Sequence, residues 1–222
     1  MLSVTPYKEK DGIIEFLTED LGVITAFAKG LVTSRKRFAG AADLFNLLKI
    51  HVKRKGKNGM FFLQWIEIQR DFAGIRTSLE ALTAAQMVLW FLRKSSKELP
   101  IGRDDFLLLI DLLKELDGLK KEPWGTSLFF IVEFLDRHGF PLKCFTCSKC
   151  KRNEAGIAWG IDGQGNPLCS RCVVHGYRFS QSFKEFLLTG RFIPYVFDDL
   201  EEVLARVFEE RFSLRKFYKL AK

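Results

Sequence analysis

The sequence predicts an α+β chain of more than one domain, with β-structure first, helices after, and a metal-binding ribbon set among the helices. Three observations carry the prediction. Short β-type runs separated by turn residues fill the first 75 residues. From Arg76 onward, apolar residues recur every three to four positions instead. All five cysteines fall between Cys144 and Cys172.

The totals set the frame. A chain of 222 residues, 47% hydrophobic and with 22 Phe, can bury a substantial core. A net charge of +8 favours an anionic partner and says nothing about fold. The opening residues carry Lys8, Glu9, Lys10 and Asp11 where a signal peptide needs an apolar run. No stretch approaches the roughly 18 apolar residues of a membrane span. The expectation is a cytoplasmic protein with no membrane partner, in which clustered cysteines hold metal rather than form disulfides.

Taken in order, Ser3 to Thr5 reads as an edge strand cut short by Pro6. Ile13 to Thr18 is a second strand, Glu19 to Gly22 a turn, and Val23 to Lys29 a third strand ended by Gly30. Leu44 to Arg54 is a fourth, with Leu44, Leu48, Ile50 and Val52 on one face. Lys55 to Gly59 ends in Asn58-Gly59, a pair that accepts the positive φ of a tight hairpin. Met60 to Gln69 is the return strand. Strands this short and this closely spaced suggest a small β-barrel of the OB type over residues 1–75.

Charge is uneven over this barrel. Between Lys29 and Lys57 there are nine basic residues and a single acid, Asp43. Arg35-Lys36-Arg37 reads as a loop and Lys53-Arg54-Lys55 as a strand end. Cations in such places can follow a phosphate backbone without being buried. The candidate nucleic-acid contacts are therefore Lys29, Arg35, Lys36, Arg37, Lys53, Arg54, Lys55 and Lys57. Phe38, Phe61, Phe62 and Trp65 are candidate base stackers, although aromatics on a strand more often fill a core.

The helical region, residues 76–222, opens on an amphipathic segment with Leu79, Leu82, Ala85, Leu89 and Trp90 in register. Ser95-Ser96 ends it, and Asp104-Asp105 favours the start of the next helix, Phe106 to Leu116. Pro123 opens a third, with Leu128, Phe129, Ile131, Val132 and Leu135 inward, which stops at Gly139. After the cysteines come Gln181 to Leu188 and then Asp198 to Phe212, running toward Tyr218. Acids at the start of that last helix and Arg211, Arg215, Lys216 and Lys219 at its end suit the helix dipole.

Within residues 144–175, Cys147-x-x-Cys150 and Cys169-x-x-Cys172 are separated by 18 residues. Two CxxC knuckles at that spacing are the pattern of a four-thiolate zinc site with a structural, closed shell. Spacing alone leaves Cys144 and Cys147 open as an alternative first pair. Trp159 to Pro167 reads as the ribbon and its turn. His51 and His138 lack companions that would make them bases or ligands, and His138 reads as a helix-end residue; His175 could replace a cysteine at the metal, but four better-spaced thiolates disfavour it. No open-shell zinc motif, deaminase motif, GxSxG elbow or Walker loop occurs, so no residue takes a catalytic role.

Several of these residues carry a resemblance. Tyr7-x-Glu9-x-Asp11, Leu17-Thr18, Gly22, Ala28-Lys29-Gly30 and Ser34-Arg35-Lys36 resemble, in order and spacing, the opening of the bacterial recombination mediator RecO family. Gly139-Phe140-Pro141 is similar to the family's lead-in to its first CxxC, with the proline one residue early, and Lys151 stands where a Gly often follows. Counting from Gly139, the resemblance implies Cys147, Cys150, Cys169 and Cys172 as ligands and Cys144 as a buried thiol. It also implies an OB-type barrel, a helical domain and a structural Zn2+. The implied activity is non-enzymatic: binding of single- and double-stranded DNA, annealing of complementary strands, and help for RecA in replacing single-strand-binding protein (SSB). RecR and the acidic C-terminal tail of SSB are the implied partners, and the location is the nucleoid. The residues taken alone also fit a zinc-ribbon module whose basic barrel binds RNA or an acidic protein.

Overall fold

A computed structural model describes residues 1–38, 44–56, 59–118 and 122–221, except the side chains of Arg35 and Lys36. Asp43, Lys57 and Asn58 lie outside the described residues. The chain forms two compact units, Met1–Leu119 and Lys120–Lys222. The first unit thus contains the five N-terminal strands and also two long helices.

In the first unit, β1 (Ser3–Tyr7), β2 (Asp11–Thr18), β3 (Gly22–Ala28), β4 (Asn46–Arg54) and β5 (Phe61–Asp71) form one sheet in the order β1-β2-β3-β5-β4. All neighbours are antiparallel except β3 and β5, which pair in parallel at Ala26↔Phe61 and Phe27↔Phe62. Val4 of β1 and Leu48, Ile50 and Val52 of β4, at opposite ends of that order, pack against one cluster of Ile14, Phe16, Ile24, Ala26, Ala28, Phe38 and Leu63. Two edges that share a core require the sheet to curl, and a partly open five-stranded curl is the form expected of an OB-type domain.

Local departures from expectation have physical causes. Pro6 does not end β1 but pairs with Gly12 inside it, because β1 is an edge strand and an edge tolerates a missing N–H. Leu44 precedes β4 because Phe45 has φ 68°, which breaks the extended run. The basic segment expected as a loop is a one-turn helix, α1 (Arg35–Phe38). At the predicted turn, Gly22 has φ 63°, and a Cβ there would meet the Ile101 carbonyl oxygen at 2.5 Å, so both conformation and space require glycine.

α2 (Leu79–Ser95) begins at Ser78, whose hydroxyl accepts the Ala81 N–H at 3.3 Å. Its buried residues include Ala81, Ala84, Ala85, Val88, Phe91 and Leu92, while Leu79, expected inward, is 56% exposed. α3 (Arg103–Asp117) begins where Asp105 accepts the Gly102 N–H at 2.9 Å. At its other end, Asp117 accepts the Gly74 N–H at 2.8 Å and pairs with Arg70 at 3.5 Å.

The second unit opens on α4 (Pro123–Arg137), capped by the Glu122 carboxylate and closed at Gly139 with φ 91°. The ribbon follows: β6 (Lys143–Thr146) pairs with β7 (Asn153–Ile157), while β8 (Gly160–Ile161) lies between β9 (Pro167–Leu168) and β10 (Tyr177–Arg178). α5 (Gln181–Thr189), α6 (Val196–Val207) and α7 (Arg215–Leu220) complete the unit. The single long helix expected from Asp198 is therefore divided. α6 ends at Val207, Glu209 takes φ 51°, and Phe208 and Phe212 turn inward at 8% and 3% exposure. Arg215 then does not balance the end of α6; it pairs with Asp198 at the start of that helix, at 2.7 Å.

Candidate nucleic-acid face and four-cysteine metal centre

Alternation along the strands decides which aromatics face solvent. Ala26, Ala28 and Leu63 point into the core, so Phe27 and Phe62 point outward. The parallel β3–β5 register sets these two rings side by side, with centroids 5.8 Å apart at 71°. Tyr7, 44% exposed at the end of β1, meets Phe27 edge-on at 5.8 Å and 82°. Lys53 of β4 stands opposite Phe62. An outer row thus runs across the strands from Tyr7 through Phe27 and Phe62 to Lys53. At about 4.8 Å per strand, crossing five strands covers roughly 19 Å. Trp65, 37% exposed, stacks on its cross-strand partner His51 at 5.8 Å and 8°, and extends the aromatic surface along β4 and β5.

Of the four aromatics singled out as stackers, Phe62 and Trp65 lie on this face. Phe38 is 3% exposed in the core cluster and presents no ring to a ligand. Phe61 packs against the same cluster, with the Arg54 guanidinium 5.4 Å above its ring. Tyr7 and Phe27 were not singled out, since only the strand register brings them to Phe62.

Cations flank the row. Lys29, exposed, lies two residues beyond Phe27, and its carbonyl accepts Arg37 Nη2–H at 2.7 Å. The Arg37 side chain also donates to Ser34 Oγ at 3.1 Å and lies 4.8 Å over the Phe38 ring, so it is held in place while exposed. Lys53, Arg54 and Lys55 are exposed at the β4 end, and Lys8 covers the Tyr7 ring at 5.6 Å. The backbone of Arg35 and Lys36 lies in α1, next to Arg37. Lys57 falls outside the described residues.

The second feature is the four-cysteine cluster. Cys147 N–H to Arg152 O (2.9 Å) and Lys151 N–H to Cys147 O (3.0 Å) close the first knuckle. Cys172 and Val173 N–H groups to Cys169 O, both at 3.1 Å, close the second. The sulfurs of Cys147, Cys150, Cys169 and Cys172 all lie within 4.8 Å of one another. A tetrahedral ion with metal–sulfur bonds of about 2.3 Å sets its sulfurs about 3.8 Å apart. The Cys150 and Cys169 sulfurs are 3.8 Å apart, so the cluster fits a metal ion. The Cys169 N–H donates to Cys147 Sγ at 3.5 Å.

Burial pushes the Cys147 thiol up, but N–H groups of Cys150, Cys169 and Lys149 and the Cys150 side chain outweigh it and bring it down to about 6. Desolvation, then hydrogen bonds its S–H donates to the Cys169, Cys150 and Cys147 sulfurs, with the charge of Cys147, push Cys172 up to about 12. Metal binding requires all four sulfurs as thiolates.

Cys144 stays outside the cluster and is not buried as expected. Pairing of β6 with β7 shifts register between Lys143 and Phe145, and Cys144 occupies the shift with φ 46°. The bulge turns it outward, where its thiol donates to Ala155 O at 3.3 Å. His138 caps α4 with its ring 4.3 Å from Phe134.

A cavity of about 460 Å³ lies in the first unit among β2, β4, α2 and α3, with Phe16, Leu48, Leu89 and Leu109 in its wall. Its charged lining is Glu19, Asp20 and Lys49, a balance that disfavours an acidic peptide. Among the described residues, no helix is long and apolar enough to cross a membrane.

These features define a class: an α+β protein with an N-terminal β-sheet domain and a helical region that carries a four-cysteine insertion. Residues 1–72 match the family model described as recombination protein O, N terminal, and residues 76–180 match its C-terminal counterpart. The chain is 30% identical over 182 residues to the DNA repair protein RecO of Desulfatibacillum aliphaticivorans, covering 76% of this chain and 67% of that one. It is 29% identical over 191 residues to RecO of Myxococcus xanthus (86% and 77% covered). With RecO of Anaeromyxobacter sp. (strain K) it shares 26% identity over 175 residues (78% and 68% covered). The chain belongs to the RecO family of DNA repair proteins.

Proposed function

We propose that this protein is a non-enzymatic recombination mediator that holds DNA on the outer face of its sheet domain. The observation that carries the reading is the row Tyr7–Phe27–Phe62 with cations at both ends, in a chain of the RecO family. Bases stack on ring faces without regard to sequence, and cations neutralise the phosphates between them. Lys29, Arg37, Lys53, Arg54 and Lys55 are the contacts within the described residues; Arg35, Lys36 and Lys57 extend the set. Such a face binds single strands through bases and phosphates, and duplexes through phosphates alone. Strands kept unstacked and charge-neutralised can anneal with no covalent chemistry.

In this reading, residues 1–75 bind DNA and residues 76–222 serve partner contacts, among them RecR and the acidic tail of SSB, so that RecA replaces SSB. Zinc is the ion that suits four thiolates, held by Cys147, Cys150, Cys169 and Cys172. Four sulfurs leave it no open position, so it supplies structure. The site of work is the cytoplasm, at the nucleoid.

Fluorescence anisotropy with a labelled single-stranded oligonucleotide tests the reading. Affinity should fall steeply as salt rises, with a log–log slope of about −0.7 per phosphate contacted. Purified protein should also anneal SSB-coated complementary strands. Binding that ignores salt, together with no annealing, would overturn the proposal; preference for RNA or an acidic protein would replace the ligand.

A further inference from the structure

We infer that the metal ribbon of the second unit is itself a phosphate-binding surface, distinct from the sheet face and not dependent on it. Cys147 and Cys169 are buried, whereas Cys150 is exposed and Cys172 half-buried, so one side of the centre faces solvent. That side is flanked by cations in sequence. Lys149 and Lys151 are the chain neighbours of Cys150, Arg152 follows, and Arg171 precedes Cys172. All four are exposed, and none makes an ion pair among the described residues.

The acids of the ribbon, Asp162 and Glu154, form no ion pair with these cations among the described residues. Asp162 is occupied by its own turn, where it accepts the Gln164 N–H at 2.9 Å and the Asn166 N–H at 3.0 Å. Glu154 is half-buried on β7.

These cations could simply balance the metal centre. A divalent ion with four thiolates carries a net charge of about −2. Lys149, Lys151, Arg152 and Arg171 on the knuckles exceed that, Arg178 adds to them, Asp162 and Glu154 lie outside the knuckles in sequence, and backbone N–H groups already serve the sulfurs, as Cys169 N–H does for Cys147 Sγ. The surplus positive charge lies on rigid knuckles, where each exposed cation can meet a phosphate without ordering a loop. Trp159, 40% exposed on the same ribbon with the Lys184 ammonium 4.4 Å from its ring, offers a stacking surface beside charge. Exposed cations on two knuckles tied to one point, none of them paired with a carboxylate among the described residues, suit a polyanion of repeated single charges, namely a nucleic-acid backbone. A protein with such a surface in each unit can hold two strands at once.

The test uses the full chain with its metal. Exposed lysines are acetylated with and without a saturating oligodeoxythymidylate, and modification is read by mass spectrometry. Lys149 and Lys151 should be protected along with Lys53 and Lys55. Protection of Lys53 and Lys55 alone would overturn the ribbon surface and leave the sheet face standing. Protection of Lys149 and Lys151 alone would do the reverse, and no protection at either would remove both. In parallel, Lys149→Gln, Lys151→Gln and Arg171→Gln are combined and the metal content is measured. With metal retained, the slope of log affinity against log salt for a duplex oligonucleotide should fall by about 2 to 3. An unchanged slope with metal retained overturns the inference. Loss of metal from this variant with no lysine protection in the parent shows that the cations only balance the centre, which also overturns it.

Discussion

The Ser180 hydroxyl donates to Asp199 Oδ2 at 2.6 Å while its oxygen accepts the Phe183 N–H at 3.1 Å, so one side chain both caps α5 and fastens it to α6. Asp199, 2% exposed, also takes the Ser180 N–H at 3.0 Å and the Tyr177 hydroxyl at 3.2 Å. The ribbon's last strand and two helices therefore meet on one carboxylate. Asp199→Ala leaves those donors unsatisfied and should destabilise the second unit by about 3 kcal/mol or more, since hydrogen bonds to a charged group contribute about 1.5–3 kcal/mol each and share this acceptor. Urea unfolding monitored by circular dichroism measures it. A midpoint unchanged from the parent would contradict the central place given to Asp199.

Tyr177 reports the same contact by its ionisation. Desolvation, then the Asp199 charge and its hydrogen bond, push the phenol up to about 12. Because the folded value lies above the unfolded value of about 10, the unfolded chain loses this proton first. The contribution to stability is therefore present below about pH 10 and is lost as pH rises toward 12. Absorbance titration of the phenolate should show one late-titrating tyrosine that moves back toward 10 in Asp199→Asn.

Phe38 belongs to the core, whereas Phe62 and Tyr7 lie on the outer face of the sheet. At 3% exposure in the sheet core, Phe38→Ala should cost about 3–5 kcal/mol of stability in the first unit. Phe62→Ala and Tyr7→Ala should instead weaken single-strand binding by about 1–3 kcal/mol each while leaving duplex binding closer to the parent. Thermal melts and anisotropy on the same samples distinguish the two. A Phe38→Ala protein that melts like the parent but loses DNA would reverse the assignment.

For the metal, elemental analysis should find one ion per chain. Cys147→Ser should lose it, whereas Cys144→Ser should keep it, because Cys144 is outside the cluster. Chelation should loosen β6 to β10, detected as faster amide exchange over residues 143–178, and acidification should release the ion because its ligands must be thiolates. Retention after Cys147→Ser with loss after Cys144→Ser would show the wrong ligand set.

What could be read from the sequence was what is local. The CxxC knuckles are legible because each closes within four residues, and Leu48, Ile50 and Val52 because alternation survives inside one strand. The break after α6 was not legible: Glu209 takes φ 51° with no glycine to announce it. Nor was the outward turn of Cys144, which depends on a bulge against β7. Phe38 looked like part of a basic loop because nothing in Arg35 to Phe38 reveals that one helical turn sends its last ring into the core. The row Tyr7–Phe27–Phe62 needs three strands in register and so exists only in the folded domain.

The parallel pairing of β3 with β5 rests on only two matched residue pairs, and one of them, Phe27↔Phe62, is the middle of the aromatic row. On one side of this seam stands the meander β1-β2-β3, on the other the hairpin β4-β5, each able to form from chain neighbours. The platform is thus complete only when the two halves are docked. In the proposed function, a strand of bases laid over it would act as a splint across the joint, so that binding and folding would support each other.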